Sequence, residues 1–193
     1  MSEKYTKLPE NAFTALQMNA GIVCSGFTPA TGAVTGIMGA TTGGVNFATN
    51  PTYEDFGEDV DNCPANMKEL KKLTSMDPTM SGTFLSVTAA LAKALIAAAD
   101  IDGSDTTKIV PRSELKSTDF TDIWWVGDYS DVNTGENAGF LAIHLKNALN
   151  QTGFQIQSTK NGKGQFSFEY HAHYELATQD EVPFEIYIKA GAA

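Results

Sequence analysis

The chain has 193 residues, 42% of them hydrophobic, with a formal net charge of −10 and a pI near 4.6. That length fits one domain with a full core, and that apolar content excludes wholesale disorder. There is a single arginine, Arg112; phosphate recognition relies on arginine forks and lysine clusters, so the balance argues against tight nucleic-acid binding.

Residues 1–12 read as a flexible N-terminal arm, and residues 13–193 as one β domain. The arm has no apolar stretch of the kind that opens a secretory signal. Residues 13–27 read as strand, broken near Asn19, Ala20 and Gly21. Cys24 lies in an apolar run (GIVCSGF) and reads as a small core residue, whereas Cys63 lies in a turn (DNCP). Two cysteines without CxxC spacing give neither a disulfide framework nor a zinc site.

Residues 28–72 are rich in Gly, Thr, Asn and Pro, with short apolar islands, and read as a long extended loop. Loops of that length inside a compact domain are usually functional or disordered. Glu54, Asp55, Glu58, Asp59 and Asp61 crowd one part of it, and Lys68, Lys71 and Lys72 follow. The bland reading is a solvated loop. The sharper one is an arm that meets a complementary patch on another subunit.

Residues 80–87 (MSGTFLSV) read as the next strand. Thr88 is a helix N-cap, and residues 89–99 form a short helix with Leu91, Leu95 and Ala98 on one side. Lys93 interrupts this apolar stretch, which is too short to span a bilayer. The reading is a soluble protein made inside the cell, with no membrane partner. DIDGSD, at 100–105, ends the helix; its spacing lacks the distal bidentate glutamate of a calcium loop.

Residues 122–129 (DIWWVGDY) and 139–145 (GFLAIHL) are two more strands, joined by a turn containing Asn133 and Gly135. Neighbouring strand residues face opposite ways, so Trp124 and Trp125 cannot form one platform; one reads as core and the other as interface. The sequon at Asn150 carries little weight without a secretory signal.

Residues 154–158 are expected to pair with the C-terminal ribbon across Lys160-Asn161-Gly162-Lys163, because Asn-Gly is a strong hairpin signal. One apolar face requires a bulged loop pairing Ile156 with Phe168, with Gly162 in the left-handed region. In the ribbon, Phe166, Phe168, Tyr170, Ala172 and Tyr174 fall on one face, and Ser167, Glu169, His171, His173 and Glu175 on the other. Such alternation marks an antiparallel strand with one packed side. Residues 184–189 form a last strand. With no strand–helix alternation, the expected fold is mainly β: an antiparallel β-sandwich or open barrel with one flanking helix.

No GxSxG, P-loop or GxGxxG motif is present. His171 and His173, about 7 Å apart on one strand face, could share a metal with Glu169, Glu175 or His144. Polar residues on a wet sheet face are the simpler reading, because ligand number and supporting contacts decide metal sites. No cofactor, metal or enzymatic activity is expected; a metal-dependent β-barrel enzyme is the distant rival.

Four segments carry a family resemblance: NAFTALQMNAGIVCSGF, FGEDVDNCPANMKELKKL, IVPRSELKSTDFTDIWWVGDYSD and FSFEYHAHYELATQDEVPFEIYIKAGA. Over most of its length the chain resembles tail tube proteins, the major tail proteins of long-tailed phages and prophages of Gram-positive bacteria. The resemblance implies a structural subunit of the virion tail, made in the bacterial host cytoplasm. It implies hexameric rings stacked into a hollow tube, contacts with other tail proteins, and DNA passing through the lumen without specific binding. A tube subunit of a contractile tail or secretion apparatus is the alternative. Under this resemblance the 28–72 loop, with the charged residues from Glu54 to Lys72, becomes the inter-ring contact. Glu169, His171, His173 and Glu175 become candidates for the lumen wall. The acidity fits, since a negative wall repels phosphates over a Debye length of about 8 Å.

Overall fold

The computed structural model describes residues 8–10, 12–130 and 138–191. The sequence-predicted N-terminal arm and the turn at Asn133 and Gly135 fall largely or wholly outside them. The described residues form a mainly antiparallel β-sandwich with one α-helix. Its first sheet runs β2 (Ala33–Gly39), β1 (Gln17–Thr28), β9 (Thr121–Tyr129), β10 (Phe140–Asn150) and β12 (Phe184–Lys189). The second runs β10, β11 (Phe166–His171), β6 (Thr79–Phe84) and β3 (Thr41–Ala48). The long strand β10 belongs to both, pairing with β12 along its first half and with β11 near its end.

The core lies between the sheets. Val23, Trp125, Ile143 and Leu145 from the first meet Met80, Phe84, Phe168 and Tyr170 from the second. Burying each large apolar side chain contributes about 1.5–3 kcal/mol. Helix α1 (Ala89–Ile96) adds Leu91 and Leu95 to the same cluster. Thr88 caps it as expected, its side-chain oxygen accepting the Leu91 N–H at 3.2 Å. The helix ends at Ile96, earlier than the sequence suggests, and Ala99–Ile101 becomes β7, paired with β8 (Ile109–Pro111). Asp100 and Ile101, read as part of the helix-ending loop, are thus in a ladder.

The segment after β8 is fastened by Arg112. Its Nε lies 2.8 Å from Asp100 Oδ2 as an ion pair, without the alignment of a hydrogen bond, and its Nη2 donates to Asp119 Oδ1 at 2.6 Å. The guanidinium holds the Asp119 carboxyl below the usual carboxylate range.

The strand expected over 13–27 begins only at Gln17, after a short 3-10 turn at Phe13–Ala15, and β1 then runs on as a single strand. The irregularity expected at Asn19–Gly21 is a bulge between Met18 and Ile22 against β9. Gly21 has φ +69°, and a Cβ there would lie 2.6 Å from the Trp125 ring. Glycine is required both by the backbone and by the tryptophan, whose Nε1 donates to Ala20 O at 3.0 Å.

Two sequence expectations are corrected. The 28–72 segment is not a long loop: it holds β2, β3 and β4 (Pro51–Asp55), and at its end β5 (Lys71–Met76) begins. The 154–158 segment makes a single bridge, Gln157 to Gln165, and not a hairpin pairing Ile156 with Phe168. Asn161, at φ 58°, takes the left-handed position expected of Gly162. β11 pairs with β6 and β10 instead.

Candidate functional site

Three surfaces stand out. The first is the outer face of the second sheet. Register places Thr42, Thr83 and Ser167 in one row, Asn46, Ser81 and Glu169 in the next, and Ala48, Thr79 and His171 in the third. Their neighbours Phe47, Met80, Phe168 and Tyr170 point into the core. The face therefore carries mostly short neutral groups, one carboxylate and one imidazole, with no lysine or arginine in these rows. His171 Nδ1 lies 3.0 Å from Asp77 Oδ1, and its Nε2 lies 3.6 Å from Glu169 Oε1.

The four residues singled out on the ribbon divide here. Glu169 and His171 lie within β11, whose strand conformation ends at His171. His173 follows it, with Nδ1 3.1 Å from Asn147 O and its ring edge-on to Phe120 at 5.1 Å. Glu175 is exposed and precedes a short 3-10 turn. Tyr174, expected on the packed face, is 45% exposed. Among the described residues, no three of His, Cys, Asp and Glu are grouped so as to hold a metal.

The second surface is the β4–β5 hairpin with its long turn. Nearly every residue of the two strands is exposed. Glu54 pairs with Lys72 and Asp55 with Lys71, so the acidic and basic blocks meet within one hairpin. Asp55 accepts the N–H of Asn66 at 2.7 Å and of Gly57 at 3.0 Å, which holds its carboxyl below the usual range and ties the turn together. Lys71 Nζ reaches Asn66 Oδ1 at 3.4 Å and stands 5.9 Å from the Tyr53 ring centre. Glu58, Asp59, Asp61 and Lys68 are exposed at the tip. Tyr53, Phe56, Val60 and Leu73 expose 57%, 57%, 52% and 48% of their surface. Cys63 is half-buried there, its Sγ 3.3 Å from Met67 Sδ. At the root, Asn50 Nδ2 donates to Asp77 O and Thr79 Oγ1, both at 3.1 Å.

The third surface is the outer face of the first sheet, which sequence reasoning missed. Trp124 is not left for an interface: like Trp125 it is 8% exposed, but it packs on the opposite face with Cys24, Phe27 and Ala142. Its ring stacks on His144 with centroids 3.9 Å apart. His144 Nε2 lies 3.1 Å from Asp122 Oδ2, without the alignment of a hydrogen bond. Glu185 accepts from Lys146 Nζ at 2.6 Å and from the Tyr187 hydroxyl, which together bring its carboxyl down to about 2. Burial pushes the Cys24 thiol up. Beside this cluster opens a cavity of about 470 Å³. The signal for it was the run of apolar residues in β1 and β9 on the face that the core does not use.

The fold and these surfaces define a β-sandwich protein with a projecting hairpin arm. Compared with models of known protein families the chain matches none, and no curated protein matches it. No helix among the described residues is long and apolar enough to cross a membrane.

Proposed function

We propose that this chain is a structural, non-enzymatic subunit of a phage tail tube, assembling into stacked hexameric rings around a conduit for DNA. The observation that carries the reading is the β4–β5 arm. An isolated two-stranded hairpin is marginal in water, yet this one and its turn leave Tyr53, Phe56, Val60 and Leu73 each about half exposed, Tyr53 and Leu73 as a cross-strand pair. Exposed apolar clusters of this kind mark interaction surfaces. An arm of one copy lying on the next makes a head-to-tail contact, which builds open-ended assemblies.

Two further observations support it. The outer face of the second sheet is polar and carries no lysine or arginine in its rows, which suits a wall that DNA slides past without binding. The net charge of −10 adds long-range repulsion of phosphates. On this reading Glu169 and His171 lie on the bore, the partners are further copies and other tail proteins, and the protein resides in the virion tail.

The test is to replace residues 52–75 with a short Gly-Ser linker, leaving the Asn50–Thr79 closure in place. Sedimentation should show loss of assembly while thermal unfolding stays cooperative. A linker variant that assembles like the parent protein would refute the role given to the arm.

A further inference from the structure

We propose that Phe56, on the arm of one copy, seats in the cavity at the far end of the first sheet of the next copy. This rests on the reading of the arm as an inter-subunit contact and names where it docks. The cavity has an apolar floor of Phe27, Val34, Val126 and Phe140, with Asp128 and Lys189 at the rim. An aromatic anchor in an apolar pocket bordered by polar groups is how most interface energy is concentrated.

Position argues for a second copy as the occupant. The cavity surrounds Phe140, where β10 begins opposite Asp128 and Lys189. The arm leaves the fold just after Ala48 and rejoins it just before Thr79, in the row that reaches His171 and Leu149 at the end of β10. The two ends of that strand are roughly 30 Å apart at the usual rise per residue. A projecting apolar arm at one end and an apolar cavity at the other are what a head-to-tail stack requires.

Charge agrees. Glu58, Asp59 and Asp61 are exposed at the tip with Lys68, so the acidic groups there outnumber the basic one. Asp128 is engaged by Asn19 Nδ2, and the exposed Lys189, whose Nζ stands 6.0 Å from the Phe140 ring centre, is the cation at the cavity that can meet them. Phe56 is the better anchor than Tyr53, because it follows β4 in the turn toward the tip, whereas Tyr53 lies within the ladder opposite Leu73.

The test uses the full chain with Phe56 replaced by the photo-crosslinker p-benzoylphenylalanine. Assemblies of mixed isotope-labelled and unlabelled protein are irradiated and the crosslinked peptides mapped. Crosslinks between copies to the peptides bearing Val34, Val126 or Phe140 are expected. In parallel, Phe56→Ala should raise the concentration needed for assembly about tenfold or more, with thermal unfolding unchanged. Assemblies whose crosslinks fall elsewhere would overturn this docking and leave the arm reading standing. A parent protein that forms no assembly at any concentration would overturn both.

Discussion

Glu54 stands directly opposite Lys72 across the β4–β5 ladder, and Asp55 opposite Lys71 one position on. The acidic and basic blocks of the sequence thus face each other inside one chain. Cross-strand pairs of opposite charge stabilise a ladder, and like charges in the same place destabilise it. The register thus sets unlike charges opposite each other, while the Asp55 carboxylate ties down the turn through the Asn66 and Gly57 N–H groups; Tyr53, Phe56, Val60 and Leu73 stay exposed.

Lys72→Glu places two glutamates opposite each other. Limited proteolysis should then nick the arm faster than in the parent protein, since loosened exposed segments are the preferred sites of cleavage. The double exchange Glu54→Lys with Lys72→Glu should restore resistance. Equal nicking of all three proteins would mean that the pair does not order the arm.

Asn150 is 4% exposed and joins three elements. Its Nδ2 donates to Leu95 O at 2.7 Å and Gly153 O at 3.0 Å, and its Oδ1 accepts the Glu169 N–H at 2.8 Å. Asn150→Ala strands buried backbone groups on the helix and on β11. A loss of about 3 kcal/mol in urea unfolding is expected. The same burial makes Asn150 a fold residue and not an acceptor of glycans, despite its sequon.

Tyr170 lies in the core at 1% exposure, and its hydroxyl has no hydrogen-bond partner. Burial pushes its ionisation well above the usual tyrosine range. Tyr170→Phe keeps the ring and removes an unsatisfied polar group, so stability should rise by about 1 kcal/mol. A clear loss of stability would show that the hydroxyl has a partner in solution.

Acid should weaken the fold through Glu185 and Asp119. Both carboxyls are depressed in the folded chain, Glu185 chiefly by Lys146 and then Tyr187, Asp119 chiefly by Arg112. A depressed carboxyl contributes stability above its unfolded value near pH 4, and that contribution is lost as pH falls toward 2. Chemical denaturation across this window should show falling stability, with a shallower slope in Glu185→Gln. Glu185 is 39% exposed at its side chain, so solvent screening keeps the difference small.

What the sequence discloses depends on where regular alternation survives. In β11, Phe166, Phe168 and Tyr170 alternate without interruption, and β12 carries no Gly or Pro, so both are legible. Thr88 announces the helix because one hydroxyl can satisfy a free N–H. β3 is illegible for a definite reason: Gly43 and Gly44, at φ 75° and 81°, lie where its register against β6 shifts between Thr42 and Val45. The bulge breaks the period of two, and Val45 and Phe47 read as islands in a loop. The arm hides for another reason. Its strands bury no face, so no apolar stripe marks them, and its acidic and basic blocks read as a charged loop, not as the two sides of one ladder. The Asn161-Gly162 hairpin misled because turn chemistry is local, whereas β11 takes its partners from β6 and β10 far away in sequence.

The most direct test is electron cryo-microscopy of the purified full-length protein at high concentration. Hollow tubes of stacked rings are expected, with the Glu169 and His171 face on the bore. A protein that stays monomeric across salt and concentration, or an assembly with that face turned outward, would contradict the tail-tube reading.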